Sequence, residues 1–142
     1  MGYNTSTPVS VIRSLYDALA AGDVTGLDSL LDEHLAPSAI LRLPPGLPYG
    51  GTLSGKSMVT SIFSSAAGRP PVGPLSPEIE SLAGTDDVVF AEVRFTWAGA
   101  GGGEESRAIE KWDFADGKII AITAYYWDPA ACPTPARSAQ NR

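Results

Sequence analysis

Three runs between residues 88 and 128 constrain this chain more than anything else in it. "VVFAEVRFTW" (88–97) alternates, with Val89, Ala91, Val93, Phe95 and Trp97 on one face and Glu92, Arg94 and Thr96 on the other. A period of two sends successive side chains to opposite sides of a strand, so this run is a strand with one buried face. "AGAGGGEES" then serves as a flexible hairpin connection. "RAIEKWDF" (107–114) repeats the alternation, with Ala108, Trp112 and Phe114 against Arg107, Lys111 and Asp113. Asp116-Gly117 within "ADGK" is a strong signal for a tight hairpin. The last run, "IIAITAYYWD" (119–128), is apolar on both faces. Continued alternation puts Tyr125 and Trp127 inward and Ile120, Ile122, Ala124 and Tyr126 on the opposite face.

The first half reads as helices. Thr7-Pro8 supplies a hydroxyl N-cap and a proline for the first turn, followed by Ile12, Leu15, Tyr16 and Leu19 at helical spacing. Gly22-Asp23 ends that helix. A second one follows, with Thr25 and Asp28 resembling a capping box and Leu27, Leu30, Leu31 and Leu35 facing inward. Residues 39–43 predict a strand, and the prolines and glycines after them force a turn. "KSMVTSIFSSAAG" (56–68) returns to helical spacing, and "RPPVGPLSP" (69–77) reads as a rigid linker. Helices followed by an antiparallel meander from about residue 78 make α+β the fold class. A single domain over 1–142 is expected, with its core at about 8–129 and a flexible tail at 130–142.

Composition narrows the function classes. A chain of 142 residues suits one hydrophobic core, without help from disulfides or a metal. Ten basic against sixteen acidic residues give a net charge of −6 with no basic cluster, which argues against a nucleic-acid partner. No apolar run is long enough for a membrane span, and "MGYNTSTPVS" lacks a signal peptide's pattern, so a cytoplasmic protein is expected. Cys132 is the sole cysteine, which excludes an internal disulfide and a cysteine-based zinc site. "GAGGG" (99–103) lacks the strand–glycine–helix setting of a dinucleotide site. No metal and no cofactor are expected.

Glu110 breaks the pattern, because it falls on the apolar side of its strand between Ala108 and Trp112. One explanation is a carboxylate near a sheet edge, paired with a base or reaching solvent. The other is a pocket acid. An unpaired carboxylate inside an apolar face costs several kcal/mol and takes up a proton instead, which raises its pKa. A carboxyl group in that state can donate a hydrogen bond to a substrate oxygen or shuttle a proton.

"LYDALAAGDVTGLDSLLDEHL", "LPYGGTLSGKSMV" and "KWDFADGKIIAITAYYWDP", in that order and spacing, resemble the SnoaL-like branch of the nuclear transport factor 2-like superfamily. That group includes polyketide cyclases and is related to ketosteroid isomerase. The resemblance spans roughly residues 8 to 129. It implies a cone: a curved sheet wrapped around helices, with one internal ligand pocket. Val93, Phe95, Trp97, Ala108, Trp112, Tyr125 and Trp127 would then form its substrate-binding lining. It also implies a catalytic role for Glu110, which aligns with the oxyanion-hole aspartic acid of ketosteroid isomerase.

Tyr16, inward on the first helix, and Tyr49, on the "LPYGG" loop, are the other catalytic candidates. The chain departs from the isomerase at Leu43, where that enzyme has its general-base aspartate. His34 is the only histidine and stands at a helix end, unlike the histidines of scytalone dehydratase. The Asp-Arg-Asp set of limonene epoxide hydrolases is not evident, because Arg94 and Glu92 read as outward.

The function this implies is a cofactor-independent cyclase or isomerase. Its substrate would be a hydrophobic polyketide-like or other natural-product intermediate. The alternative is a non-catalytic small-molecule-binding or dimerisation module of the same fold. Ile120, Ile122 and Tyr126, with Ile109 and Phe90, form an apolar patch that predicts a homodimer through the convex sheet face.

Overall fold

The computed structural model describes residues 7–68, 73–98 and 104–133. Helix α1 spans Pro8–Ala21 and opens as its sequence predicts: Thr7 Oγ1 accepts the Ser10 backbone N–H at 3.1 Å. Gly22 closes it in the left-handed region (φ 69°), returning its N–H to the last turn. Helix α2 (Val24–His34) is capped by Asp23, whose Oδ1 accepts from Gly26 N at 2.9 Å, and not by the predicted Thr25–Asp28 box. Asp28 instead accepts from Ser64 Oγ on helix α3 (Lys56–Ala67), which joins the two helices.

Six strands follow the order β2-β1-β6-β5-β4-β3 in one curved, unclosed sheet. They are β1 (Leu35–Leu43), β2 (Gly51–Ser54), β3 (Gly73–Gly84), β4 (Val88–Ala98), β5 (Glu105–Ala115) and β6 (Lys118–Tyr126). Leu35 is therefore the buried first residue of a strand and not the end of a helix. Four of the five strand pairings are antiparallel, as the meander predicts; β1 pairs with β6 in parallel. Strand β3 takes in much of the predicted 69–77 linker. Pro74 and Pro77 are tolerated there because β3 is an edge strand, where a missing N–H breaks no interior ladder.

The concave face holds the core. Val89, Ala91, Val93, Phe95 and Trp97 of β4 and Ala108, Trp112 and Phe114 of β5 are buried, as alternation requires. Ile12, Leu15 and Leu19 of α1 and Leu27 and Leu31 of α2 complete it. On the convex face Arg94 bonds Glu78 Oε1 at 2.8 Å and Arg107 bonds Glu80 Oε1 at 2.6 Å, across the outer strands.

Strand β6 departs from its predicted phase. Phe114 pairs with Ile119 and Asp113 with Ala121, which leaves Ile120 as an extra, unpaired residue. Such a bulge shifts the alternation by one. Ile119 is inward before it, and Ile122, Ala124 and Tyr126 are inward after it. Tyr125 and Trp127, predicted to line the pocket, are instead 56% and 83% exposed. Ile122 and Tyr126, predicted for the convex face, belong to the core side, while Ile120, Ile109 and Phe90 do face outward. The Asp116-Gly117 turn itself forms as predicted, with positive φ at both residues (51° and 77°).

Beyond β6 the Trp127 N–H bonds the Arg107 carbonyl at 2.9 Å, and a short 3₁₀ turn (Pro129–Ala131) brings Cys132 into the core. The packed chain thus continues past the predicted boundary at 129. Of the predicted 98–106 connection, Ala98 ends β4 and Glu105 and Ser106 open β5, while residues 99–103, like residues 134–142 of the predicted tail, lie outside the described residues.

Candidate functional site

A cavity of about 70 Å³ opens between α1, α3 and the concave face of the sheet. Its wall is mainly apolar: Leu19, Leu41, Leu43, Ile62, Phe63 and Ala66 with Val93, Phe95 and Ala108, closed on the β3 side by Pro74 and Pro77. The polar side chains that reach it are one carboxyl group and three phenols: Glu110, Tyr16, Tyr49 and Tyr126.

Glu110 is placed by the alternation of β5, two residues from Ala108 and two from Trp112 on the concave side. It is half-buried and lines the cavity. Tyr16 comes from α1, one helical turn beyond Ile12 on the buried face. Its Oη donates to Glu110 Oε1 and accepts from Trp112 Nε1 at 3.2 Å. The Tyr16 and Trp112 rings meet edge to face at 5.9 Å, and Phe63 of α3 packs on the other side of Trp112. These contacts fix the direction of the chain of donors, indole to phenol to carboxylate.

Burial raises the Glu110 carboxyl above its usual 4.5, and the Tyr16 hydrogen bond offsets part of that rise. The same burial, with the adjacent Glu110 charge, holds the Tyr16 phenol well above 10 and so in its protonated, donating form. No other side chain among the described residues hydrogen-bonds Glu110, so Oε2 is open for a ligand.

A second polar pair faces the same space. Tyr49 stands on the loop between β1 and β2, where Leu47 is buried and Gly50 runs against the Pro44 carbonyl too closely for any side chain. Its Oη lies 3.0 Å from Tyr126 Oη at the end of β6. Tyr126 stacks on Trp97 (5.6 Å, 20°) and meets Phe95 edge-on at 5.7 Å. Burial pushes both phenols above their usual 10, and the Glu110 charge adds to the shift of each.

Of the residues predicted from the sequence, Glu110, Tyr16, Tyr49, Val93, Phe95 and Ala108 converge on the cavity. Trp112 supports Tyr16 from behind, and Trp97 backs Tyr126, with its buried Nε1 unpaired among the described residues. Tyr125 and Trp127 lie outside the cavity for the reason given above.

Tyr126 is the polar wall residue that alternation misses, and the two-sided apolar pattern of "IIAITAYY" was the signal that β6 changes phase. Leu43, the residue expected at the isomerase's base position, lines the cavity with an aliphatic group. Arg94 and Glu92 are outward, in the convex-face ion pairs. His34 lies at the end of α2, 3.8 Å from Glu33. No cluster of three potential metal ligands occurs among the described residues, and no helix among them is long and apolar enough to cross a membrane.

No curated protein matches the chain. Among solved structures, Bal32a from a soil-derived mobile gene cassette shares the fold with a TM-score of 0.71, at 20% identity over 85% of this chain and 89% of its own. A nuclear transport factor 2-like protein from Burkholderia thailandensis gives 0.68 at 17% identity, over 86% and 92% of the two chains. TerC, co-crystallised with polyporic acid, gives 0.67 at 17% identity over the same shares. At such identities the likeness is one of fold. The sequence itself matches the SnoaL-like domain over residues 12–122, most of its length. The chain belongs to the SnoaL-like domain family and has a nuclear transport factor 2-like fold.

Proposed function

We propose that this protein is a cofactor-independent cyclase or isomerase that works by acid–base catalysis on a hydrophobic, polyketide-like or other natural-product intermediate. One observation carries the reading: Glu110 stands in the wall of an apolar cavity with one oxygen tied to Tyr16 and the other open. A carboxylate in that state is a stronger base than one in water, because burial disfavours its charge. Tyr16 holds the carboxyl in place and Trp112 holds Tyr16. The aliphatic and aromatic wall excludes water from the reacting atoms.

The free volume of about 70 Å³ is smaller than the roughly 300 Å³ and upward typical of sites for drug-sized ligands. Substrate entry therefore moves a wall. The Tyr49 loop is the element we assign to this, since Tyr49 lines the cavity and its hydroxyl bonds only Tyr126 among the described residues, at 3.0 Å.

The cavity suits a ketone bearing an acidic α-hydrogen, and β-tetralone is the probe: its benzylic hydrogens exchange with deuterium oxide only after proton abstraction. Wild-type protein accelerates that exchange and Glu110→Gln does not, while both bind the ketone. Binding without acceleration in the wild type supports a non-catalytic binding module.

We also assign the convex face to a second copy of the chain. Phe90, Ile109, Ile120 and Tyr125 are exposed there, and the neighbouring Arg94, Arg107, Glu78 and Glu92 offer both signs of charge to a two-fold partner. A monomeric mass at micromolar concentration contradicts this.

A further inference from the structure

Beyond Tyr126 the chain leaves the sheet, and at Cys132 it rejoins the core. The bond from Trp127 N–H to the Arg107 carbonyl, 2.9 Å, is its last described backbone bond to the sheet. Pro129 has no N–H to continue a ladder, and the 3₁₀ turn Pro129–Ala131 begins there. Ala131 N–H bonds the Asp128 carbonyl at 3.1 Å, and Cys132 N–H bonds the Pro129 carbonyl at 3.2 Å. The Cys132 thiol reaches the neighbouring Pro133 carbonyl at 3.5 Å. Among the described residues, then, the turn makes no hydrogen bond to the body of the protein. Apolar contact holds it: Cys132 is 7% exposed, and Ala131 packs on the same buried cluster.

The Tyr49 loop is held in the same way. Leu47 N–H bonds the Pro44 carbonyl and Gly50 N–H bonds the Leu47 carbonyl, so these backbone bonds close on the loop itself. Leu47 is buried, and Tyr49 and Tyr126 pack on the cluster that includes Cys132. Cys132 is close enough to both phenols for a charge on its sulfur to raise each of them. Both tyrosines line the cavity, whereas no residue of the turn does, so the turn backs them from outside. In a close-packed interior a side chain moves only into space that its neighbour vacates. Two segments without ladder bonds to the body belong to the least stable part of a fold and open at low cost.

We infer that Pro129–Cys132 is a latch on the Tyr49 loop, and that turn and loop lift together to admit a ligand to the cavity. This rests on the reading that the cavity takes a hydrophobic small molecule, and it is independent of the chemistry that follows. While the turn is seated, Cys132 backs the tyrosine pair and Tyr49 has no space to swing outward. Once the turn lifts, the one hydroxyl contact between Tyr49 and Tyr126 is all that the loop has to break on that side.

Cys132 is the sole thiol of the chain, so alkylation reports the turn alone. Iodoacetamide at low concentration labels the folded full chain at a rate proportional to the lifted population. β-Tetralone at low concentration, followed by tryptophan fluorescence, associates in proportion to the same population. Pro129→Gly frees the backbone of the turn and raises both rates by one common factor, about two- to fivefold. Faster labelling with unchanged association overturns the latch. Labelling that follows global unfolding, with the same dependence on urea, overturns it too.

Should Pro129→Gly fail to fold, wild-type protein alkylated at Cys132 takes its place. The added group keeps the turn from reseating, so β-tetralone associates faster than with unlabelled protein; an equal or slower rate overturns the latch. Fluorotyrosine at position 49, its fluorine resonance assigned by its loss in Tyr49→Phe, separates the two ideas. In Pro129→Gly and in alkylated protein that resonance moves toward its position in urea. If the wild type binds no β-tetralone and the resonance still moves, the ligand reading is removed and the latch is kept. Binding with a Tyr49 resonance that stays in place removes the latch alone.

Discussion

Trp112, on β5, donates its indole hydrogen to the Tyr16 hydroxyl, on α1, across 3.2 Å. Because that hydroxyl is thereby an acceptor, its own hydrogen is directed to Glu110. Tyr16→Phe removes both links at once. It leaves a buried indole N–H without an acceptor, for which a loss of about 1–3 kcal/mol in chemical denaturation is expected. It also deletes the one hydrogen bond that lowers the Glu110 pKa. The Glu110 carboxyl, followed by carbon NMR, titrates higher in Tyr16→Phe than in the wild type; a lower titration contradicts the assignment.

The two buried tryptophans differ in one respect, and their variants report it. Trp112 Nε1 has a partner, whereas Trp97 Nε1 has none among the described residues. Both indoles are almost wholly buried, so conversion to phenylalanine removes similar apolar contact from each. Trp112→Phe is expected to cost about 1 kcal/mol more than Trp97→Phe, the worth of one hydrogen bond. Equal costs in urea denaturation contradict the tyrosine–indole link.

Stability depends on pH through Glu110 in a stated direction. Its native pKa is raised above 4.5 by burial, so the native state binds the proton more tightly than the unfolded chain. The contribution of this group is then fully present below the unfolded pKa and is lost as pH rises through the native one. Glu110→Gln does not ionise, so its stability relative to wild type increases with pH across that window and levels off above it. A relative stability that falls with pH contradicts a buried, proton-favouring Glu110.

Much of this was legible in the sequence, for a local reason. Alternation in β4 and β5 depends only on neighbouring residues, and it placed Val93, Phe95, Ala108 and Glu110 on the cavity wall. Helical spacing did the same for Tyr16. In β6 the phase depends on the bulge at Ile120, which arises from pairing with β5, and an apolar residue on both faces conceals the shift. Uninterrupted alternation therefore puts Tyr125 and Trp127 inward and Tyr126 outward, each the reverse of the structure. The parallel pairing of β1 with β6 joins the two ends of the sheet's chain path and leaves no mark in either strand's pattern.

That reversal has its own consequence. Tyr125→Ala and Trp127→Ala, at exposed positions, leave β-tetralone binding within about twofold of wild type, since neither side chain lines the cavity. Phe63→Ala weakens it, because Phe63 lines the cavity and packs on Trp112. Titration by tryptophan fluorescence checks both, with Trp127→Ala read through the remaining indoles. A marked loss in Tyr125→Ala or Trp127→Ala contradicts the phase of β6.

The central claim is that Glu110 moves a proton inside the cavity, and benzylic deuterium exchange of β-tetralone tests it most directly. Proton NMR of the ketone in deuterium oxide, with wild type and Glu110→Gln compared at equal ligand saturation, gives the rate. The account predicts protein-accelerated exchange that falls roughly a hundred- to ten-thousandfold in the variant. Acceleration of equal size in both proteins would contradict it.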